Sequence, residues 1–261
     1  MSSIARLLLG LALLSVAACA TRPPASDPEA QADFRELNDP IEPTNRFFYR
    51  VNDALDTYAL RPVAVAYRDV VPGAVRRPIH NVLNNLGAPA MFANDVLSAK
   101  PRRAGDSLMR FLINTTAGVG GLFDVATGWG YPDHTSDFGL TLALWGVGEG
   151  PFLFLPIIGP SNPRDATGFG ANIVLDPLTW ASFGGSTAAG IGRYGANALD
   201  TRERLIEPVD QIKRSALDPY ATFRSLARQN RADEIAKAQQ DGPATVPAWF
   251  PRPAQQGSPQ Q

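Results

Sequence analysis

Val75-Arg76-Arg77-Pro78-Ile79-His80-Asn81-Val82-Leu83-Asn84-Asn85-Leu86 decides the fold class. Its apolar members, Val75, Ile79, Val82, Leu83 and Leu86, recur at intervals of three and four, the period of a helix with one buried face. Upstream, Phe47, Phe48, Val51, Leu55 and Tyr58 repeat that period. Downstream, Arg103 to Ile113 carries Leu108, Phe111 and Leu112 on one side. Pro89 is placed to start a separate helix holding Met91, Phe92, Val96 and Leu97. The segment from Ser161 offers an N-cap before Asp165, carries Phe169, Ile173 and Val174, and stops at Asp176-Pro177. From Ser186 the pattern is helical, with breaks at Glu207-Pro208 and Asp218-Pro219, and Phe223, Leu226 and Ile235 mark a last helix. Strand signals are confined to Phe152 to Ile158 and to Leu140 to Leu144, the latter fitting a helix equally well. The expected fold is mostly α with little β.

At 261 residues, 44% hydrophobic and 19% charged, the chain has the composition of one sizeable domain or two small ones, which excludes disorder throughout. A net charge of −1 gives no general attraction to nucleic acid or to an anionic bilayer. Twenty-three Gly and 23 Pro favour many short elements. Cys19 stands alone, so neither a disulfide framework nor a thiolate zinc site can form, and His80 and His134 are too few for a multi-histidine metal centre. No metal or cofactor is expected. Apart from Lys100, Lys213 and Lys237 the basic residues are all Arg, whose planar fork suits phosphate, although a compositional bias of the genome explains this more simply.

The first 18 residues read as an export signal, with Arg6 as its positive start and Leu7 to Val16 too short to span a bilayer. Val16-Ala17-Ala18-Cys19 has the form of a bacterial lipobox, in which Cys19 becomes the acylated N-terminus. Several acyl chains suffice for stable anchoring. The alternative is a secretory peptide cut after Ala18 that leaves a free thiol. Residues 19–37 read as a flexible tether and 38–231 as the folded body. Residues 232–261 hold the end of the last helix and a Pro/Gln-rich tail. The most apolar later stretch, Phe138 to Ile158, is cut by Gly139, Gly146, Gly148, Glu149, Gly150, Pro151 and Pro156. It cannot cross lipid as one regular helix, but it can lie in an interface or line a protein-walled cavity.

Catalytic motifs fail when tested. Gly184-Gly185-Ser186-Thr187-Ala188 lacks the last Gly of a nucleophile elbow and the strand before it, so Ser186 reads as a helix N-cap. His134, in the polar loop from Pro132 to Asp137, is expected to be solvated. Gly118-Val119-Gly120-Gly121 and Gly146-Val147-Gly148 match no nucleotide-binding loop. Asp165 and Asp176 cannot be assigned to one cleft, and no enzyme activity is expected. What stands out is amide among apolar residues: Asn81, Asn84, Asn85, Asn94 and Asn114. Such side chains are costly to bury unpaired, so they either cap and cross-link helices or line a polar passage.

Several blocks then carry a resemblance. Asn38-Asp39-Pro40-Ile41-Glu42-Pro43-Thr44-Asn45-Arg46 is followed by Arg61-Pro62-Val63-Ala64, Tyr67-Arg68, Asn84-Asn85-Leu86 with Pro89, Arg110-Phe111, and Asn114-Thr115. Next come Gly118 to Gly121 with Asp124, Asp137-Phe138-Gly139, Trp145-Gly146-Val147-Gly148, Leu155-Pro156, Gly159-Pro160-Ser161 and Arg164-Asp165. In this order, over residues 38 to about 230, the chain resembles the MlaA (VacJ) family of outer-membrane lipoproteins. The departures are Leu140 and Ala143, where a polar residue and a Gly are expected, and Ala99, where Gly is usual.

The resemblance implies a ring-like arrangement of amphipathic helices in the membrane interface around a central amphipathic channel. It implies a lipid-anchored protein on the periplasmic face of the outer membrane, a destination that Ala20 after the lipobox also suggests. The implied role is removal of misplaced phospholipids from the outer leaflet and their transfer to a soluble periplasmic carrier, alongside a trimeric porin. Asn84, Asn85, Asn114 and the turn containing Gly118, Gly120 and Gly121 are then the expected passage residues. A lipoprotein scaffold for a porin or envelope complex is the alternative, and a lipid hydrolase built on Ser186 a third reading.

Overall fold

The computed structural model describes residues 37–180 and 186–240. The export signal, Cys19, nearly all of the tether, Gly184-Gly185 and the tail from 241 lie outside the described residues. The elements are α1 (Glu42–Leu55), a π-helical turn (Asp56–Leu60), α2 (Arg61–Val70), α3 (Gly73–Leu97), α4 (Pro101–Thr116), α5 (Val125–Gly128), α6 (Phe138–Leu144), β1 (Leu153–Leu155), β2 (Gly159–Ser161), α7 (Pro163–Leu175), α8 (Pro177–Trp180), α9 (Ser186–Arg204), α10 (Ile206–Ser215) and α11 (Pro219–Gln239). The mostly α expectation holds.

Prolines mark where sequence and structure part. α1 and α2 form one continuous helical run widened at the π turn, where the Arg61 N–H reaches back to the Asp56 carbonyl. The wider turn directly precedes Pro62, which has no N–H for the usual bond. Pro89 does not start a new helix: α3 runs through both Pro78 and Pro89 as 25 residues. A proline ring disturbs the preceding turn, and there the Leu86 carbonyl accepts from Arg193 Nη1 at 3.1 Å.

Sequence from Phe152 to Ile158 forms a strand only over β1, which pairs antiparallel with β2 in the register Leu153↔Ser161 and Leu155↔Gly159. Two amides on α1, seven residues apart and so on one helical face, hold this hairpin. Asn45 donates to the Phe152 carbonyl at 3.0 Å and accepts from the Phe154 N–H at 2.8 Å. Asn52 donates to the Leu155 carbonyl at 2.9 Å and accepts from the Ile157 N–H at 2.8 Å. Phe152, Phe154 and Tyr220 pack behind it with Phe48 and Tyr49. Leu140 to Leu144 is helical, within α6, and Leu140 is buried.

Helix contacts close on themselves: α3 packs on α6, α6 on α7, α7 on α8, α8 on α9, and α9 back on α3. α4 lies along α3. At the α6–α7 crossing two glycines meet, and a Cβ on Gly168 would lie 2.3 Å from the Gly139 backbone nitrogen. Among the described residues, buried polar and charged side chains outnumber buried hydrophobic ones. Large apolar side chains such as Phe47, Tyr58, Val63, Val70, Trp180 and Ile191 face outward. An exterior of this kind marks a surface that meets lipid or another protein. No helix among the described residues is long and apolar enough to cross a membrane.

Candidate functional site

The amide-rich helix α3 presents His80, Asn84, Ala88 and Met91 along one side, four, four and three residues apart. α4 faces it with Ser107, Arg110, Phe111 and Asn114, again at helical spacing. With the loop 133–136 and with Asn197 and Arg204 of α9, these residues wall a cavity of about 490 Å³. That volume falls among those of small-molecule sites, roughly 300–1,000 Å³. Its lining mixes Leu83, Met91 and Phe111 with amides and charges. Amphipathic lining of this sort suits a molecule with both a polar head and an apolar body.

The amides bond to neighbouring groups, and several of them border the cavity. Asn84 Nδ2 lies 2.9 Å from His80 Nε2, and His80 Nδ1 lies 2.7 Å from Asp200. Asn85 donates to Thr115 Oγ1 at 2.9 Å. Asn114 donates to Asp124 at 3.1 Å and accepts from the Ala126 N–H at 3.0 Å, joining α4 to α5. Thus Asn85 ties α3 to α4 and Asn114 ties α4 to α5, Asn84 bonds within α3, and all three border the cavity. Asn81 donates to the Leu122 carbonyl, while Asn94 donates to the Ala90 carbonyl and to Asn172. Asp124 caps α5 and meets Arg110 at 3.2 Å. Burial opposes its charge, but bonds from Thr127 and Asn114 and the nearby Arg110 outweigh that and hold its carboxyl below the ordinary value.

Gly118, Gly120 and Gly121 are not in the cavity wall; they close the end of α4 behind it. The Gly121 N–H bonds the Asn114 carbonyl at 2.8 Å, and a Cβ on Gly121, at φ +91°, would lie 2.7 Å from Asn85 Cβ. Gly118 is tighter still, since a Cβ there would lie 2.3 Å from the Phe123 carbonyl oxygen. Gly121 therefore packs directly against Asn85, which borders the cavity.

His134 is not solvated: its side chain is 11% exposed and faces Asp95 and Ser107. Burial of Asp95 drives this, because a buried carboxylate needs partners. It takes His134 Nε2 at 2.8 Å and Ser107 Oγ at 2.5 Å, with Arg103 at 3.6 Å. Burial works against the Asp95 charge, yet the His134 and Ser107 bonds prevail and its carboxyl is held below the ordinary range. This Ser, His and Asp are not wired as a hydrolase, in which serine and aspartate occupy opposite ring nitrogens. Here Ser107 and Asp95 both face Nε2, and Ser107 donates directly to the carboxylate. Among the described residues no group of three or more His, Cys, Asp or Glu is placed to hold a metal.

Asp95, Ser107, Asn197 and Arg204 were not singled out as site residues by the sequence. Each is an ordinary helical polar residue until the packing of α3, α4 and α9 brings it to this region, so no local signal marks it.

A helical body with many outward-facing apolar side chains and an open cavity of amphipathic lining defines a class of proteins suited to handling amphiphiles at an interface. The chain belongs to the MlaA lipoprotein family, whose profile matches residues 37–234. It is 36% identical over 209 residues to the intermembrane phospholipid transport system lipoprotein MlaA of Escherichia coli K12, covering 78% of this chain and 80% of that protein. The Haemophilus influenzae protein of the same name is 33% identical over 198 residues, covering 75% and 78%. A solved structure described as "Structural basis for maintenance of bacterial outer membrane lipid asymmetry" superposes with a TM-score of 0.66 at 34% identity. It covers 76% of this chain and 98% of that one.

Proposed function

We propose that this protein is an outer-membrane phospholipid-transport lipoprotein that removes misplaced phospholipids from the outer leaflet and hands them to a periplasmic carrier. The observation that carries the reading is the amphipathic cavity between α3, α4 and α9 inside a body with outward-facing apolar side chains. An interfacial helix sinks its apolar face roughly 5–10 Å into the head-group boundary. A cavity walled by such helices opens at the depth of lipid head groups. In this reading Asn84, Asn85 and Asn114 line the passage, and Gly118, Gly120 and Gly121 shape it from behind. Cys19 carries the lipid anchor on the periplasmic face, residues 19–37 form the tether, and a trimeric porin is the membrane partner. No covalent step is required, and the Ser107–His134–Asp95 wiring favours none.

The test is outer-leaflet phospholipid in cells lacking the protein, with rescue by the wild type or by Cys19→Ala. A rise on deletion, reversed only by the anchored form, supports transport from the membrane. An unchanged leaflet with disturbed porin assembly makes the protein a scaffold instead. Asn84→Asp or Asn114→Asp variants that are folded and anchored but leave the leaflet normal would remove those residues from the passage.

A further inference from the structure

Four of the cavity's lining residues are basic: His80, His134, Arg110 and Arg204. Three are already engaged. His80 pairs with Asp200 at 2.7 Å and His134 with Asp95 at 2.8 Å. Arg110 lies between Asp124 at 3.2 Å and Asp133 at 3.5 Å, and also donates to Thr127 and to the Tyr131 carbonyl. Arg204 differs. It is exposed, in the last turn of α9, and makes no ion pair or hydrogen bond among the described residues. Seven residues earlier, and so about 10 Å along the same helical face, Asn197 also lines the cavity. It too makes no side-chain hydrogen bond there.

We infer that Arg204 is the phosphate-reading residue of this cavity. It would take the phosphodiester of a phospholipid on its guanidinium fork, with Asn197 available to the glycerol-ester region and Leu83, Met91 and Phe111 to the acyl chains. The inference rests on the transport reading above and adds the group that recognises the lipid. The physical case is one of charge balance. Arg110 is offset by Asp124 and Asp133, so a further anion near it meets compensated charge, whereas Arg204 offers an unspent fork matched to two phosphate oxygens. A site that reads phosphate accepts phospholipids whatever their head group and rejects a diacylglycerol.

The full-length protein in detergent would be titrated with dihexanoylphosphatidylglycerol, with dihexanoylglycerol and with inorganic phosphate, for the wild type, Arg204→Gln, Arg204→Lys and the surface control Arg214→Gln. We expect the wild type and Arg214→Gln to bind the phospholipid at least about tenfold more tightly than either probe. That preference should collapse in Arg204→Gln and return in part in Arg204→Lys, the size of one charge-assisted bond. Because Arg204 is exposed and unpaired, its variants should melt with the wild type. If Arg204→Gln keeps the full phospholipid preference, another group reads the phosphate and the inference fails while the transport reading stands. Inorganic phosphate bound as tightly as the phospholipid would also overturn it, as a site for free phosphate. A wild type that binds neither lipid, with an unchanged outer leaflet on deletion, would bring down the transport reading itself.

Discussion

The hairpin side of the molecule and the cavity side use the same material to opposite ends. Around β1 and β2, buried polar groups find protein partners: Asp39 accepts from Asn45 at 2.7 Å, from Arg224 at 2.7 Å and from the Tyr220 hydroxyl. Burial and the Asp39 carboxylate push the Tyr220 phenol well above its ordinary value, so it stays a donor. Around α3, α4 and α9, polar residues stand at the edge of an open volume, and Asn197 and Arg204 keep their hydrogen-bonding capacity unspent. A buried polar group that is fully paired holds a fold together, whereas one that faces a cavity is available to a ligand. The hairpin side is therefore where substitutions should cost stability, and the cavity side where they should cost lipid handling.

The largest effect expected from this contrast is Asp39→Ala. It strands Arg224, whose side chain is 7% exposed, and leaves the Tyr220 hydroxyl without its acceptor; among the described residues Glu42, at 3.7 Å, is the remaining ion-pair partner. Removing one partner of a buried pair typically costs about 3–5 kcal/mol. Denaturant unfolding of the purified protein should show a loss of this size. A loss under about 1 kcal/mol would mean that the hairpin side is not the closed half described here.

Next is Gly168→Ala, at the α6–α7 crossing that leads to the same closed half. Its Cβ would meet Gly139 backbone at 2.3 and 2.6 Å, and backbone cannot turn aside as a side chain can. Arg231 restrains the crossing further, bonding Asp137 at 2.8 Å and Asp165 at 2.9 Å. An overpacking cost of about 1–3 kcal/mol should appear as a lowered unfolding midpoint. On the cavity side, Gly87→Ala, within α3 and with nothing within 4 Å of its added Cβ, is the matched control and should cost nothing by overpacking.

These two glycines show how far the sequence was legible. Periodicity and caps act within a few residues, so α1, α3, α4, the stop at Asp176 and the break at Asp218 could be read from the chain. The amides of α3 and α4 stood out because their local neighbours are apolar. What was hidden depends on distant segments. Pro89 passes inside α3, where Arg193 of α9 takes up the Leu86 carbonyl. His134 sits in a sequence typical of a solvated loop, and only the approach of Asp95, 39 residues earlier, buries it. Pro160 disguises β2, whose partner among the described residues is β1. Gly139 and Gly168 carry no local sign that they touch.

A pH measurement sharpens the same comparison at Asp95, a buried group at the cavity's edge. Its carboxyl is held below the ordinary value, so its bonds to His134 and Ser107 add stability above the unfolded-state pKa of about 3.9. That contribution disappears as pH falls through the lower folded value. Asp95→Asn should therefore melt below the wild type at pH 7, with the gap closing below about pH 4. A gap unchanged down to pH 3 would show that the Asp95 charge adds nothing. Ser107→Ala should cost about 1 kcal/mol and leave outer-leaflet phospholipid normal, since the hydroxyl donates to Asp95.

The smallest effect has the opposite sign and belongs to neither half. Ala99 ends α3 at φ +54°, in the left-handed region. The Ala99 N–H bonds the Val96 carbonyl and the Lys100 N–H the Asp95 carbonyl, both at 3.0 Å, the paired bonds of a Schellman cap. In the left-handed region a Cβ crowds the neighbouring carbonyl, so glycine is preferred there for its backbone alone. Ala99→Gly should stabilise the protein by about 0.5–1 kcal/mol, the relief of that crowding less the added entropy of the unfolded chain. Lipid handling should not change. If it does, the end of α3 is coupled to the cavity through Asp95, and the boundary between a structural half and a lipid-handling half runs through that residue rather than beside it.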